Sequence, residues 1–191
     1  MYQQKYVMSM EGKKMRQTNQ SVSPMSNEGR NLYVVEHITD AVLKLIHHKN
    51  LNEISISEIC SEAGVGRASF YRNFEDKEDV IRRYLKKLLA EWAKKQEGKD
   101  VFHFVESLFE HYYMHKELCI ILYEQGLSHI SLQSIKDVCG PKPEQPNIVA
   151  YTTAYLSYGL YGWIEEWFRR GMQENPKEMA ILWEQAQQQE K

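Results

Sequence analysis

Cysteine is scarce: Cys60, Cys119 and Cys139 are odd in number and far apart, and none forms a Cys-x-x-Cys pair. Neither a disulfide framework nor a zinc finger is indicated, and the usage fits a reducing cytoplasm. Long apolar runs are absent too. None approaches the about eighteen residues that a spanning helix needs, and no apolar block of signal-peptide length follows the first charges, so membrane insertion and export are not expected. Proline is rare, five in 191 residues, and three of the five are Pro141, Pro143 and Pro146, which leaves most of the chain free of helix breakers. Neither sign of charge dominates, with 24 Lys and Arg against 26 Asp and Glu. What is present is a chain 42% hydrophobic and 12% aromatic, enough to build a core without staples.

The charge is unevenly spread. Residues 1–95 carry a formal +4 and residues 96–191 carry −6. A front half that meets an anion would explain this, and unevenly solvated faces explain it equally well.

Residues 1–29 are rich in Gln, Ser, Asn and Met and lack apolar periodicity, so they read as a disordered tail. Lys13, Lys14 and Arg16 within it could form a basic arm for a nucleic-acid minor groove. From Leu32 the pattern is helical, with Leu32, Val35, Val42, Leu45 and Ile46 on one stripe. Ser55 and Glu58 then occupy N-cap and N3 of a short second helix, a capping box. Gly64 permits a sharp turn into a third helix beginning near Gly66, and a longer fourth starts around Asp76 to Glu78 and runs to Trp92.

Helical stripes continue through 101–116 and 117–125. Residues 126–147 read as a weakly structured stretch, and a helix follows from about Pro146 to Arg170, stopped by Gly171. Asn175 as N-cap and Pro176 at N1 open the last helix. No strand signal competes, so the fold class is all-α with about nine helices.

Two short helices joined by a Gly turn, with a packed helix before them, form a helix-turn-helix arrangement. The segment Ala63-Gly64-Val65-Gly66-Arg67-Ala68-Ser69-Phe70-Tyr71-Arg72-Asn73-Phe74-Glu75-Asp76-Lys77 resembles the TetR family of bacterial transcriptional regulators, over about residues 31–91. The resemblance implies a DNA-binding domain at 31–91 and a ligand-binding and dimerisation domain at 92–191. It makes Arg67 a base-reading candidate, because a guanidinium fork matches O6 and N7 of guanine. It assigns phosphate contacts to Ser69, Tyr71 and Lys77, and core roles to Phe74 and Val65, with Ser55 as helix cap at the same surface. Gly66 and Asn73 are placed with Ser55 among the DNA-binding residues, although Gly66, Ala68 and Asn73 depart from the family pattern, and Arg72 reads either as a phosphate contact or as a solvated charge. Gly159-x-x-Gly162-Trp163-x-x-x-Trp167 is similar to a pattern in one branch of the family. The implied dimer seam uses Leu156, Leu160, Trp163, Trp167, Leu182 and Trp183.

The resemblance therefore implies a cytoplasmic homodimer on a near-palindromic DNA operator, controlled by an unidentified small-molecule effector, with no cofactor. Phe102, Phe109, Tyr112, Tyr113 and Tyr123 could line the effector pocket, and core packing accounts for them equally well. An activator working through a protein partner is the nearest alternative. A metal-dependent helical enzyme or sensor using His111 and His115, four apart on one helix, is the alternative from another class, and a helical adaptor that has lost DNA binding is a third.

Overall fold

The computed structural model describes residues 26–96 and 100–189. The expected tail up to residue 25, with Lys13, Lys14 and Arg16, lies outside the described residues. Within them there are nine α-helices and no strand: α1 (Asn27–Ile46), α2 (Ile56–Ala63), α3 (Arg67–Asn73), α4 (Lys77–Ala93), α5 (Val101–Met114), α6 (Lys116–Glu124), α7 (Ser128–Cys139), α8 (Asn147–Arg169) and α9 (Pro176–Gln189). A 3₁₀ turn, Leu51–Glu53, separates α1 from α2. No described helix is long and apolar enough to cross a membrane.

The chain divides into two units after Tyr33. Of the first unit, the described part is the opening of α1. It starts inside the segment expected to be tail, because Ser26 acts as a cap: its Oγ accepts the Gly29 amide at 2.9 Å.

The second unit begins at Val34 and has two adjoining apolar clusters. The first gathers Ile38, Val42 and Ile46 of α1, Leu51 and Ile54, Ile59 of α2, Phe70 and Phe74, and Val80, Ile81 and Leu85 of α4, with Leu118, Leu122, Leu127 and Ile130. The second gathers Leu89 and Trp92 of α4 with Leu108 and Phe109 of α5, Ile164, Trp167 and Phe168 of α8, and Met179 and Trp183 of α9. α6, through Leu118 and Cys119, and α7, through Ile130 and Ile135, contribute to both clusters, and so does α4, whose first half packs into one and last turns into the other. At 17 residues α4 spans about 25 Å, at about 1.5 Å per residue.

The local signals set the helix ends. Ser55 and Glu58 form the reciprocal capping box, Gly64 closes α2 at φ 65°, and Asp76 caps α4. Gly171 ends α8 at φ 76°. Asn175 Oδ1 accepts the Glu178 amide at 3.0 Å while Glu178 accepts that of Asn175 at 2.8 Å, a second box. A second expectation fails. The stretch after Gly126 is not weakly structured but carries α7, whose apolar positions are few and interrupted by serines. Tertiary cover compensates: Ile130 and Ile135 are buried, and Ser131 and Ser134 are buried with them. The Ser134 hydroxyl meets its polar requirement within the helix by donating to the Ile130 carbonyl at 3.0 Å.

Candidate nucleic-acid interface

Helix α3 has seven residues, of which Phe70 alone is buried. That ring is fully enclosed and meets Phe74, just past the helix, at 5.8 Å between centroids. The sequence pattern singled out Phe74 and Val65 as core; Val65 is partly buried, and the main anchor is Phe70. Its position three residues before Asn73 leaves Arg67, Ala68, Tyr71 and Arg72 exposed. Those four sit at i, i+1, i+4 and i+5, so they share one face of the helix.

Arg67 stands at the first turn, where one guanidinium nitrogen donates to Ser57 Oγ of α2 at 3.2 Å. The rest of the fork stays exposed and available to a base edge or a phosphate. Tyr71 is 54% exposed, with its ring edge-on to Phe70 at 5.5 Å. Ser69 and Asn73 are half-buried, and Asn73 Nδ2 donates to the Ser69 carbonyl at 2.8 Å, so one amide hydrogen is turned back onto its own helix. Ser55 is exposed; its oxygen accepts the Glu58 amide while its hydroxyl proton remains a donor. Gly66 is the N-cap of α3 without a side-chain bond, and a Cβ there would meet nothing within 4 Å.

Lys77 departs from the expected phosphate role. Its Nζ donates to the carbonyls of Leu51, Asn52 and Ile54 at 2.5, 3.0 and 3.0 Å. An ammonium has three donors, and all three are engaged. Lys77 is a clip that holds the 3₁₀ turn against the start of α4, and what remains for a phosphate there is the helix terminus itself.

Two further arrangements hold this region, one signalled locally by Asp79 with arginines three and four residues on, the other without any local mark in the sequence. Asp79 is buried, and its carboxylate accepts from Arg82 at 2.9 Å, from Arg83 at 2.8 Å and from the Glu75 amide at 3.1 Å. Burial alone would raise its pKa, but those hydrogen bonds outweigh it and hold the group below the usual carboxylate range. Gln125, at the end of α6, accepts the Leu51 amide at 2.8 Å and donates to the Ile46 carbonyl at 3.4 Å. It joins the distal helices to the turn that Lys77 clips.

The expected dimer seam is split by the fold. Leu156 and Leu182 are exposed as required. Leu160, Trp167 and Trp183 are buried in the second cluster of the same chain, with Trp167 edge-on to Phe109 at 5.4 Å, and Trp163 is half-buried against Trp183. The exposed apolar face lies instead along the first part of α8, at Ile148, Tyr151, Tyr155 and Tyr158, joined by Ile181 of α9.

The five aromatics expected around an effector divide in a similar way. Phe109 and Tyr112 are buried core, Phe102 and Tyr123 are half-buried, and Tyr113 is exposed and stacked on Trp167. A cavity between α4 and α5 has none of the five in its lining. His111 and His115 pack edge to face at 5.1 Å. Burial, with some repulsion from His115, pushes the His111 pKa down to about 4. Among the described residues no group of three His, Cys, Asp or Glu side chains is placed to hold a metal ion.

Comparison with known proteins agrees with this geometry. The family model for bacterial regulatory proteins of the tetR family matches residues 38–84, and the model for a transcriptional regulator C-terminal region matches residues 99–189. Among solved structures, the chain is similar to a TetR transcriptional regulator from Streptococcus agalactiae 2603V, at 13% identity over 84% of this chain and 96% of that one, with a TM-score of 0.53. It is also similar to the dihydroxyacetone kinase operon activator DhaS, at 14% identity over 81% and 92%, with a TM-score of 0.50. At such identities the likeness is one of fold. No curated protein matches the chain.

Proposed function

The chain belongs to the tetR family of bacterial regulatory proteins, as a DNA-binding transcription regulator with a helix-turn-helix head, and from that premise we propose that it acts as a homodimeric repressor released from DNA by a small-molecule effector. The observation that carries this reading is the face of α3. Four side chains, two of them arginines, stand exposed on one side of a helix whose opposite side is anchored by Phe70. An exposed helix of that kind fits a major groove, with Arg67 at its N-terminal turn against a base edge. Ser55, Ser69, Tyr71 and Arg72 would supply phosphate contacts around it. Residues 31–91 form the reading head in this proposal and residues 92–191 the effector and dimer domain, of the branch marked by Gly159, Gly162, Trp163 and Trp167.

Dimerisation in this proposal uses α8. Ile148, Tyr151, Tyr155, Tyr158 and Gly162 recur at spacings of three and four, the period of a helix seam, and all five are exposed. An apolar stripe of this kind marks an interaction surface. Two α3 helices carried by such a dimer must lie about 34 Å apart to enter successive major grooves of a near-palindromic site. Release would come from a change in that spacing. A coupling of about 1 to 3 kcal/mol alters occupancy by roughly five- to 150-fold.

The test is a gel-shift titration on the DNA immediately upstream of the protein's own gene, with scrambled competitor at fixed salt, beside a reporter fused to the same DNA. A discrete, competitor-resistant complex and a rise in reporter output on deletion are expected. A fall in output would make the protein an activator, and no competitor-resistant complex on any genomic fragment would remove the DNA-binding role.

A further inference from the structure

The last turns of α4 and the facing side of α5 line a half-open cavity of about 340 Å³. It lies at the opposite end of α4 from the Lys77 clip. Gln96, just past the end of that helix, lines it and is only 8% exposed. The Gln96 amide nitrogen donates to the Trp92 carbonyl at 3.0 Å, which settles which end of the side chain is which. Its Oε1 is buried and has no hydrogen-bond partner among the described residues. Buried acceptors are almost always paired, so this one calls for a donor.

The rest of the lining says what kind of donor. Trp92 has already committed its indole N–H to the carbonyl and hydroxyl of Ser107, at 3.0 and 2.9 Å, and so offers the cavity only its ring. Glu91 and Glu110 bring two carboxylates, neither in an ion pair among the described residues, against the single ammonium of Lys95. His111 and His115 are kept uncharged at neutral pH by burial and add no positive charge. A lining with net negative charge, an aromatic wall and an unmet acceptor selects against anions and for cations.

We propose that this cavity binds a small organic amine, whose ammonium N–H donates to Gln96 Oε1 beside Glu91 and Glu110 while its apolar body lies against Trp92. The assignment rests on the effector reading above and names its ligand class. Occupation would act on α4, whose first half packs into one cluster and whose last turns pack into the other.

Calorimetric titrations of the full chain with tryptamine, N,N,N-trimethyltryptammonium, tryptophol and indole-3-acetate test it. Tryptamine is expected to bind best, the trimethylated cation at least tenfold more weakly because it has no N–H, and the acid weakest of all. Gln96→Leu should lower tryptamine affinity about tenfold, leave the trimethylated cation unchanged, and unfold no more readily than the parent in the absence of ligand. Absence of amine binding, preference for the acid, or indifference to Gln96→Leu would each overturn the site. Anisotropy of DNA selected by the protein from random duplexes separates this from the effector reading. Tryptamine that binds through Gln96 without changing DNA affinity upholds the site and removes the effector role, while failure of the amines in a protein that still binds its selected DNA removes the site alone.

Discussion

Gln125 accepts the backbone amide of Leu51 across 74 positions of chain, at 2.8 Å. The carbonyl of the same Leu51 receives the Lys77 ammonium, so one residue of the 3₁₀ turn is held from both sides. A short hydrogen-bonded path thus runs from the end of α6, through that turn, to the start of α4. Gln125→Leu leaves a buried amide unpaired, and Lys77→Ala leaves three carbonyls without their donor. Each should cost about 1 to 3 kcal/mol in urea denaturation. Because the two share Leu51, the double variant should depart from additivity by at least about 0.5 kcal/mol. In DNA titrations Lys77→Ala should leave the salt slope unchanged, since its charge already faces carbonyls; a slope lower by about one unit would restore it as a phosphate contact.

On the reading helix, Arg67→Ala is expected to cost about 1 to 3 kcal/mol on the selected DNA and to relax the preference at one base position. Equal affinity for all variants of that position, before and after substitution, would remove Arg67 from base reading. Gly66→Ser tests the same end of α3 in the opposite direction. The backbone there is extended, at φ −80° and ψ 151°, and has room for a Cβ. A serine would cap the helix, adding a few tenths of a kcal/mol in thermal melts, and would tighten DNA binding if its hydroxyl reaches a phosphate.

Gly162 lies on the exposed stripe of α8, and a Cβ there would meet nothing of its own chain within 4 Å. Gly162→Leu should therefore leave the folded monomer intact, and raise helix propensity by up to about 1 kcal/mol, while keeping a second helix at a distance. Light scattering after size exclusion should show a monomer where the parent is a dimer. A variant that remains fully dimeric would move the interface away from this part of α8.

The buried His111 sets a pH dependence. Its pKa is pushed down to about 4 in the folded chain, against about 6.5 when unfolded. Between those values the unfolded chain takes up a proton that the folded chain refuses, so stability is level above about pH 7 and falls as the pH drops toward 4. The loss should reach roughly 3 kcal/mol, with His115 acting in the same direction. Denaturation midpoints of His111→Gln should vary less over this window than those of the parent; identical profiles would rule out His111 as their source.

How much was legible in advance followed the range of each interaction. Ser55 with Glu58, Gly64, Asp76, and Asn175 before Pro176 act over a few residues, so spacing alone identified those helix ends and the helix-turn-helix. The face of α3 was readable for the same reason, because helical period places Arg67, Tyr71 and Arg72 together. Periodicity identifies an apolar side but not what covers it. Leu160, Trp167 and Trp183 were therefore indistinguishable from Leu156 and Leu182 until the packing of α8 and α9 turned the first three inward. The helix at Ser128–Cys139 depends on tertiary cover rather than on propensity. Lys77 looked like a free cation because its three acceptors are carbonyls of another segment, and backbone carbonyls carry no signature in a sequence. Sequence alone determined most of the helices and the exposed face of α3, through contacts between near neighbours. Tertiary structure decided the clip, the Gln125 link and the cavity at Gln96, because each joins groups that meet only once the chain has folded.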